Sequence, residues 1–176
     1  MTTPPVVAFA GVSKTYGNGT LALDGVSFAI APGVIHAICG ENGAGKSTLM
    51  KILFGLEQPS AGAVMIDGEA AVIASPRIAA ANGIGMVHQH FSLVPSLTVA
   101  ENIVLGQEPR RGALIDRAAA RQRVVDLAER YNLHVDPDTA VRTLSVAAQQ
   151  KVEILKALSR DVRVLILDEP TAVLTP

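Results

Sequence analysis

The chain has 176 residues and a formal net charge of −1, so it can bury the core of one domain and has no global attraction to nucleic acid or anionic lipid. Hydrophobic residues make up 49% and aromatic residues 3%, which predicts an aliphatic core and suits a parallel sheet covered by helices. The single cysteine, Cys39, excludes an internal disulfide, and without a long apolar run or a basic start we expect neither a membrane span nor a signal peptide.

The first part of the chain is predicted to be rich in strands. Residues 6–16 and 21–30 are expected to be paired strands, joined by a turn rich in glycine. An apolar run at 34–39 predicts a strand that enters a glycine-rich segment, and 48–54 predicts a helix with one apolar face. Further on we expect strands at 63–66 and 84–88, and a helix at 76–81 that begins after Ser75.

From residue 96 to residue 159 the pattern is helical. Helices are predicted at 99–105, from Asp116 to about Tyr131, and from Ser145 to Ser159. The continuous apolar run at 162–167 then predicts a buried strand. The sequence thus predicts an α/β fold with a β-rich start and an inserted helical block.

The segment 40–47 reads G-E-N-G-A-G-K-S and fits the phosphate-binding pattern G-x-x-x-x-G-K-[ST] at every fixed position. Glycines allow successive N–H groups to point inward around an anion, and the following helix directs its positive end to the same place. Lys46 is expected to reach the β- and γ-phosphates, and Ser47 to bind Mg²⁺. The alternative is an ordinary glycine turn before a helix. The predicted nucleotide-binding residues here are Gly40, Glu41, Asn42, Gly43, Ala44, Gly45, Lys46, Ser47 and Thr48.

Two carboxylates, Asp168 and Glu169, end the last predicted strand. In open α/β sheets, ligands bind outside the carboxyl ends of the strands. Asp168 is therefore expected to hold Mg²⁺, directly or through water, and Glu169 to polarise the attacking water. The alternative is a strand that ends in a solvated acidic turn.

With these motifs, four further elements make the chain resemble the ATP-binding subunit of ABC transporters. Tyr16 stands where that family places an aromatic residue on adenine, and Gln89 where its Q-loop glutamine touches Mg²⁺ and water and couples to the membrane domain. Residues 144–151 align with the family's L-S-G-G-Q signature, and 170–175 with the approach to its D-loop. The signature residues that would contact ATP bound to a partner domain are Ser145, Val146 and Ala147. Plainer alternatives are a packing aromatic at position 16, a polar loop residue at 89 and a simple helix cap at 145.

The resemblance implies a P-loop NTPase core with a parallel sheet, an N-terminal antiparallel β subdomain and an inserted helical subdomain. The α/β core would occupy 1–95 and 160–176, and the helical subdomain 96–159. The implied activity is ATP hydrolysis, with ATP and Mg²⁺ as cofactors. The implied catalytic residues are Glu169, Lys46 and Gln89, and the implied metal-binding residues are Ser47, Gln89 and Asp168.

The residues at 86–91, 144–150 and 168–176 are similar to the corresponding segments of importers of simple sugars and nucleosides. Proteins of that type carry two such domains in tandem. The chain resembles the first of these domains. Implied partners are the second nucleotide-binding domain, transmembrane permease subunits and, indirectly, a solute-binding protein, with no nucleic acid. The implied location is the inner face of the cell membrane. The transported solute is set by the other subunits.

Three departures from the family pattern bear on activity. Ala147 replaces the signature glycine, which would weaken the contact with a partner domain's ATP, and Thr175 replaces the D-loop aspartate, as is usual in this subgroup. The family's switch histidine has no counterpart after Glu169, since the histidines stand at 36, 88, 90 and 134. We therefore expect a C-terminally incomplete domain with low stability and little hydrolysis on its own.

Three other classes of protein are alternatives to this interpretation. A soluble ABC ATPase of translation or DNA repair would need a basic surface, and the sequence offers only the pair Arg110-Arg111. A nucleotide-binding module with little hydrolysis is a second alternative. A P-loop kinase or GTPase would not need the element at 144–151, and no guanine-reading N-K-x-D follows the loop.

Overall fold

The computed structural model describes residues 5–88 and 91–168. The chain divides into two compact units, Met1–Ile84 and Gly85–Pro176. Within the described residues, no helix combines the length and hydrophobicity needed to cross a bilayer. Each unit has its own secondary structure and buried side chains.

The first unit contains an antiparallel sheet with the strand order β2-β1-β3-β4. Its strands are β1 (Val7–Thr15), β2 (Leu21–Ile30), β3 (Ala61–Ile66) and β4 (Glu69–Ala71). Strand β1 pairs with both β2 and β3. The predicted pair at 6–16 and 21–30 is thus confirmed, whereas β4 was not predicted because three residues carry too little alternation to be recognised.

Strand β1 changes register partway along its length. Val7 and Phe9 are buried on one face, as two-residue periodicity requires. The register with β2 then shifts between Phe9 and Val12, and Gly11 lies in this irregularity with φ of 60°. The shift buries Val12 as well, so three apolar side chains of one strand enter the core.

Two helices complete the first unit. Helix α1 (Lys46–Leu53) buries Leu49, Ile52 and Leu53, the apolar face that the sequence predicted. Helix α2 (Pro76–Ala81) begins after Ser75, whose side chain accepts a hydrogen bond from the N–H of Ile78. The predicted start of α2, with a proline in the first turn, is confirmed.

The strand predicted at 34–39 is absent, and that prediction was wrong. None of the sheets in the described part of the chain includes these residues. The side chain of Ile35 is fully exposed and that of Val34 is 54% exposed. An apolar run forms a buried strand only where neighbouring strands pair with its backbone and other elements cover its faces, and the described residues provide neither.

The second unit is mainly helical. Its strands β5 (Ile84–Val87) and β8 (Val164–Leu167) pair, and between them lie α3 (Val99–Val104), α4 (Arg117–Arg130) and α5 (Val146–Leu158). A short hairpin of β6 (Arg110–Arg111) and β7 (Leu114–Ile115) joins α3 to α4. The three helices and the short 3-10 helix Val141–Thr143 share a buried cluster formed by Val99, Ala100, Ile103, Val124, Ala128, Val141, Val152 and Leu155.

The helix starts of the second unit are set by capping side chains. Asp116 caps α4 by accepting the N–H of Ala119 at 2.9 Å, as predicted. Thr98 and Glu101 form a reciprocal capping box at the start of α3. These caps fix where each helix begins and therefore which residues face the shared core.

Candidate functional site

Residues 40–48 consist of a glycine-rich loop, 40–45, and the first three residues of α1. Gly43 and Gly45 have φ of 84° and 86°, a left-handed conformation that favours glycine. The N–H of Ala44 donates to the carbonyl of Glu41 at 3.1 Å and closes a turn within the loop. The loop therefore curls ahead of a helix N-terminus, whose first N–H groups have no partner within the helix.

Gly45 is required at its position for two reasons. Its φ of 86° favours glycine. A Cβ atom there, just before the first residue of α1, would also collide with the carbonyl oxygen of Ala22 and with the side chain of Leu23. At Gly43, by contrast, a Cβ would have open space around it. Gly45 thus allows a close approach between the loop and strand β2.

The Lys46 side chain folds over the same loop. Its ammonium donates to the carbonyl of Gly40 at 2.8 Å and to the carbonyl of Glu41 at 2.9 Å. The positive charge is therefore concentrated beside the loop backbone. Because an ammonium has three N–H donors, an oxygen of a bound phosphate can join or replace these acceptors.

Tyr16 lies beside the start of α1. Its hydroxyl oxygen is 3.2 Å from the hydroxyl oxygen of Thr48, the last residue of the predicted phosphate loop. The Lys14 ammonium lies 5.2 Å from the centre of the Tyr16 ring, within range of a cation–π interaction. The first unit thus brings Tyr16 into contact with Thr48, although the two residues are 32 positions apart in the sequence.

Sequence reasoning did not identify Lys14. Its ammonium is 2.8 Å from a carboxylate oxygen of Glu57 and donates to the carbonyl of Gln58 at 2.8 Å. Only 13% of the Lys14 side chain is exposed. A lysine near an aromatic residue in a strand is too common a pattern to single out, so this interaction could be found only from the three-dimensional structure.

In the second unit, Asp168 lies at the end of the paired strands. Its main-chain N–H donates to the carbonyl of Val87 at 3.2 Å, so the ends of β5 and β8 are adjacent. Gln89 and Glu169 fall outside the described residues, as do residues 170–176. Their predicted roles in catalysis and in metal binding remain predictions.

The predicted signature residues lie at the start of α5. Ser145 caps the helix by accepting the N–H of Ala148 at 3.3 Å, and Val146 and Ala147 are exposed in its first turn. Ala147 is not among the residues with positive φ. The alanine therefore causes no backbone strain there, and compared with glycine it adds one methyl group at the exposed start of α5.

Two of the predicted metal-binding residues are of a chemical type that suits Mg²⁺. No cluster of three or more His, Cys, Asp or Glu side chains in the described ranges could hold a metal by itself. Ser47, exposed at the start of α1, and Asp168, half-buried after β8, offer hard oxygen donors. Mg²⁺ commonly binds through one or two such groups together with phosphate oxygens and water.

Comparison with known proteins assigns the family. The profile of the ABC transporter family matches residues 23–172, so the chain belongs to this family, and the resemblance predicted from the motifs is confirmed. The chain is 51% identical to the nucleoside import ATP-binding protein NupA of Lactococcus lactis over its whole length, which is 35% of that protein. It is 50% identical to the guanosine import ATP-binding protein NupO of Bacillus subtilis, covering 97% of this chain and 33% of that protein. The chain thus spans about a third of these relatives.

Solved structures agree on the fold. The ABC transporter component cbiO1 of Clostridium perfringens superposes with a TM-score of 0.81 at 30% identity, covering 98% of this chain and 68% of that one. A nucleotide-free ATP-binding cassette from an ABC transporter gives a TM-score of 0.84 at 25% identity, covering 98% of this chain and 72% of that one. The predicted fold class, a P-loop α/β core with an N-terminal antiparallel sheet, is confirmed by these neighbours.

Proposed function

We propose that this chain binds Mg·ATP and hydrolyses it as part of the ATP-binding subunit of an importer for a nucleoside or a simple sugar. The observation that carries the proposal is the loop 40–48, where left-handed Gly43 and Gly45, the start of α1 and the Lys46 ammonium converge. That arrangement binds phosphate through main-chain N–H groups and one flexible cation. The import activity is supported by the names of the relatives.

Each site residue has a distinct proposed task. The loop N–H groups and Lys46 hold the phosphates, Tyr16 supports the adenine, and Ser47, Asp168 and Gln89 provide oxygen donors for the metal. Mg²⁺, when bound, neutralises charge that develops on the phosphate oxygens. Glu169 orients the attacking water and accepts a proton from it. Ser145, Val146 and Ala147 form the edge that faces ATP held by a partner domain.

The partners follow from the same assignment. Hydrolysis would drive import through transmembrane permease subunits, with the chain on the inner face of the membrane and a second nucleotide-binding domain in tandem. The relatives are about three times longer than this chain, which is consistent with a tandem arrangement. A solute-binding protein would act indirectly, through the permease.

The test is the affinity for Mg·ATP of the Lys46→Ala variant, measured by calorimetry. A hydrogen bond from a charged donor contributes about 1.5–3 kcal/mol, so we expect binding to weaken roughly tenfold or more. The matched control is Lys51→Ala, which removes an exposed lysine from the last turn of the same helix. Equal affinities in the parent and in Lys46→Ala would refute the proposal.

A further inference from the structure

The segment 91–97, which follows Gln89 in the sequence, is attached to α5 through one residue. The main-chain N–H of Ser92 donates to a carboxylate oxygen of Glu153. The Ser92 carbonyl accepts a hydrogen bond from the Lys156 ammonium at 2.9 Å. Side chains of a single helix thus engage both main-chain polar groups of Ser92.

Glu153 and Lys156 act from one face of α5, because residues three positions apart lie above each other on a helix. Glu153 is only 7% exposed and lies between the fully buried side chains of Val152 and Leu155 in sequence. Burying a carboxylate is costly unless a donor reaches it, and Ser92 supplies such a donor. The contact uses the backbone of residue 92, so it is independent of the side chain at that position.

A second attachment holds the same segment to α3. Asn102 is fully buried, and its Oδ1 accepts the main-chain N–H of Val94 at 2.7 Å. Its Nδ2 donates to the carbonyls of Val94 and Thr98, both at 3.0 Å. Helices α3 and α5 share the buried cluster of the second unit. Segment 91–97 is therefore tied at two points to one packed pair of helices.

We propose that Glu153 is a positioning residue that fixes segment 91–97 to α5, so that the backbone following Gln89 moves with the helix that begins at Ser145. This inference rests on the proposed function, in which Gln89 and the start of α5 act on different ATP molecules. A direct hydrogen bond joins the two elements, so a displacement of one is passed to the other without intervening side-chain rearrangement. Lys156 supports the same attachment through the Ser92 carbonyl.

The experiment measures amide hydrogen exchange at Ser92 in the 176-residue chain. Glu153→Leu removes the acceptor at similar size, whereas Glu153→Gln keeps an oxygen that can accept the bond. We expect the Ser92 amide to exchange roughly tenfold or more faster in Glu153→Leu and near the parental rate in Glu153→Gln. The control, Glu129→Leu, replaces an exposed glutamate in the last turn of α4 and should leave Ser92 unchanged.

Several outcomes would overturn the proposal. One is unchanged exchange at Ser92 in Glu153→Leu. Another is equal acceleration at Ser92 and at the core amides of α3 and α5, which would indicate general destabilisation and not a local role. If Glu153→Leu does not fold, Lys156→Met removes the hydrogen bond to the Ser92 carbonyl, and exchange at Ser92 is compared with exchange at the core amides in the same way.

Catalysis gives a second readout. In steady-state ATPase assays on a form of the protein with measurable turnover, Glu153→Leu should lower kcat severalfold and leave the KM for ATP unchanged, because the loop 40–48 is untouched. A rise in KM alone would contradict the proposal. Mg·ATP affinity of the parent chain separates the two claims. Absence of binding would refute the proposed function, while the exchange result at Ser92 would still decide whether Glu153 fixes segment 91–97.

Discussion

The hydroxyl oxygen of Tyr16 lies 3.2 Å from that of Thr48 and so connects the residue that follows strand β1 to the first turn of α1. One of these residues was predicted to contact adenine and the other to belong to the phosphate loop. Their contact fixes the distance between the residue proposed to support the base and the loop proposed to bind the phosphates. It also separates two possible roles of the tyrosine, since the hydroxyl serves this contact, while the Lys14 ammonium lies over one face of the ring and a base would need the other face.

Replacing Tyr16 tests that separation. Stacking of a base on an aromatic ring contributes about 1–3 kcal/mol, so Tyr16→Ala should weaken ATP binding roughly five- to a hundredfold. Tyr16→Phe keeps the ring and should change affinity by less than about threefold. The measurement is calorimetric titration with Mg·ATP, with Tyr131→Ala as the control because Tyr131 belongs to the second unit. An equal loss in Tyr16→Phe and Tyr16→Ala would show that the hydroxyl, and not the ring, matters.

The two left-handed glycines of the loop should differ in their tolerance of alanine. Gly43→Ala is expected to lower the free energy of unfolding by about 1–2 kcal/mol, the cost of a positive φ. Gly45→Ala should lower it by more, because its methyl group would also collide with the Ala22 carbonyl oxygen. Denaturant unfolding monitored by circular dichroism measures both. Equal destabilisation would mean that α1 can shift freely relative to β2.

Glu169→Gln should separate binding from hydrolysis. The amide cannot accept a proton from the attacking water, whereas the loop 40–48 and Asp168 are unaltered. We expect Mg·ATP affinity within about twofold of the parent and kcat reduced by roughly a hundredfold or more. The assay requires a form of the protein with measurable turnover, and Glu129→Gln serves as the control. Hydrolysis at the parental rate would leave Glu169 as a solvated residue after β8.

Acid should loosen the turn at Asp136 only at a pH below that at which an ordinary aspartate is protonated. The N–H of Asp138 and then the hydroxyl of Thr139 donate to the Asp136 carboxylate and lower its pKa. A lowered folded-state pKa means that the stabilisation is complete above the unfolded pKa and is lost as pH falls through the folded pKa. The Asp138 amide shift, followed by NMR, should titrate with a midpoint below that of a free aspartate.

The Asp136→Asn variant is the control for that titration, because its amide accepts hydrogen bonds but does not ionise. Its Asp138 amide should show no step in the acid range. The neighbouring carbonyls of Pro137 and Thr139 accept bonds from the first N–H groups of α3, so loosening of the turn should also raise exchange there. A midpoint at or above the ordinary aspartate value would contradict the prediction.

Local signals made much of this fold predictable. Ser75, Asp116 and Ser145 were predicted to begin helices, and each caps one, because capping depends on a side chain and the next few N–H groups. The strand at 34–39 failed because burial depends on distant elements and not on the run of apolar residues itself. The glycine-rich turn before α1 was predictable because glycine stands at fixed spacing ahead of a lysine and a serine, and its role in phosphate binding stays a prediction.

Side-chain contacts between residues far apart in the sequence were not predictable in the same way. The Tyr16–Thr48 contact joins residues 32 positions apart, and the Ser92–Glu153 contact joins residues 61 positions apart. The sequence did contain a signal for the Ser92–Glu153 contact, since Glu153 interrupts the apolar face of α5. Asn102 interrupts the apolar face of α3 in the same way. A polar residue at a core position indicates a buried partner, but the sequence alone does not identify it.

The contacts of Lys14 have an evolutionary consequence. Its ammonium is mostly covered and lies between the Glu57 carboxylate and the ring of Tyr16. Loss of the acid at position 57 would leave a covered cation without its counter-ion, and loss of the cation would leave the acid unpaired. Substitutions at positions 14, 16 and 57 should therefore be correlated among descendants of this sequence. Substitutions at position 57 should persist mainly in lineages where position 14 has already changed.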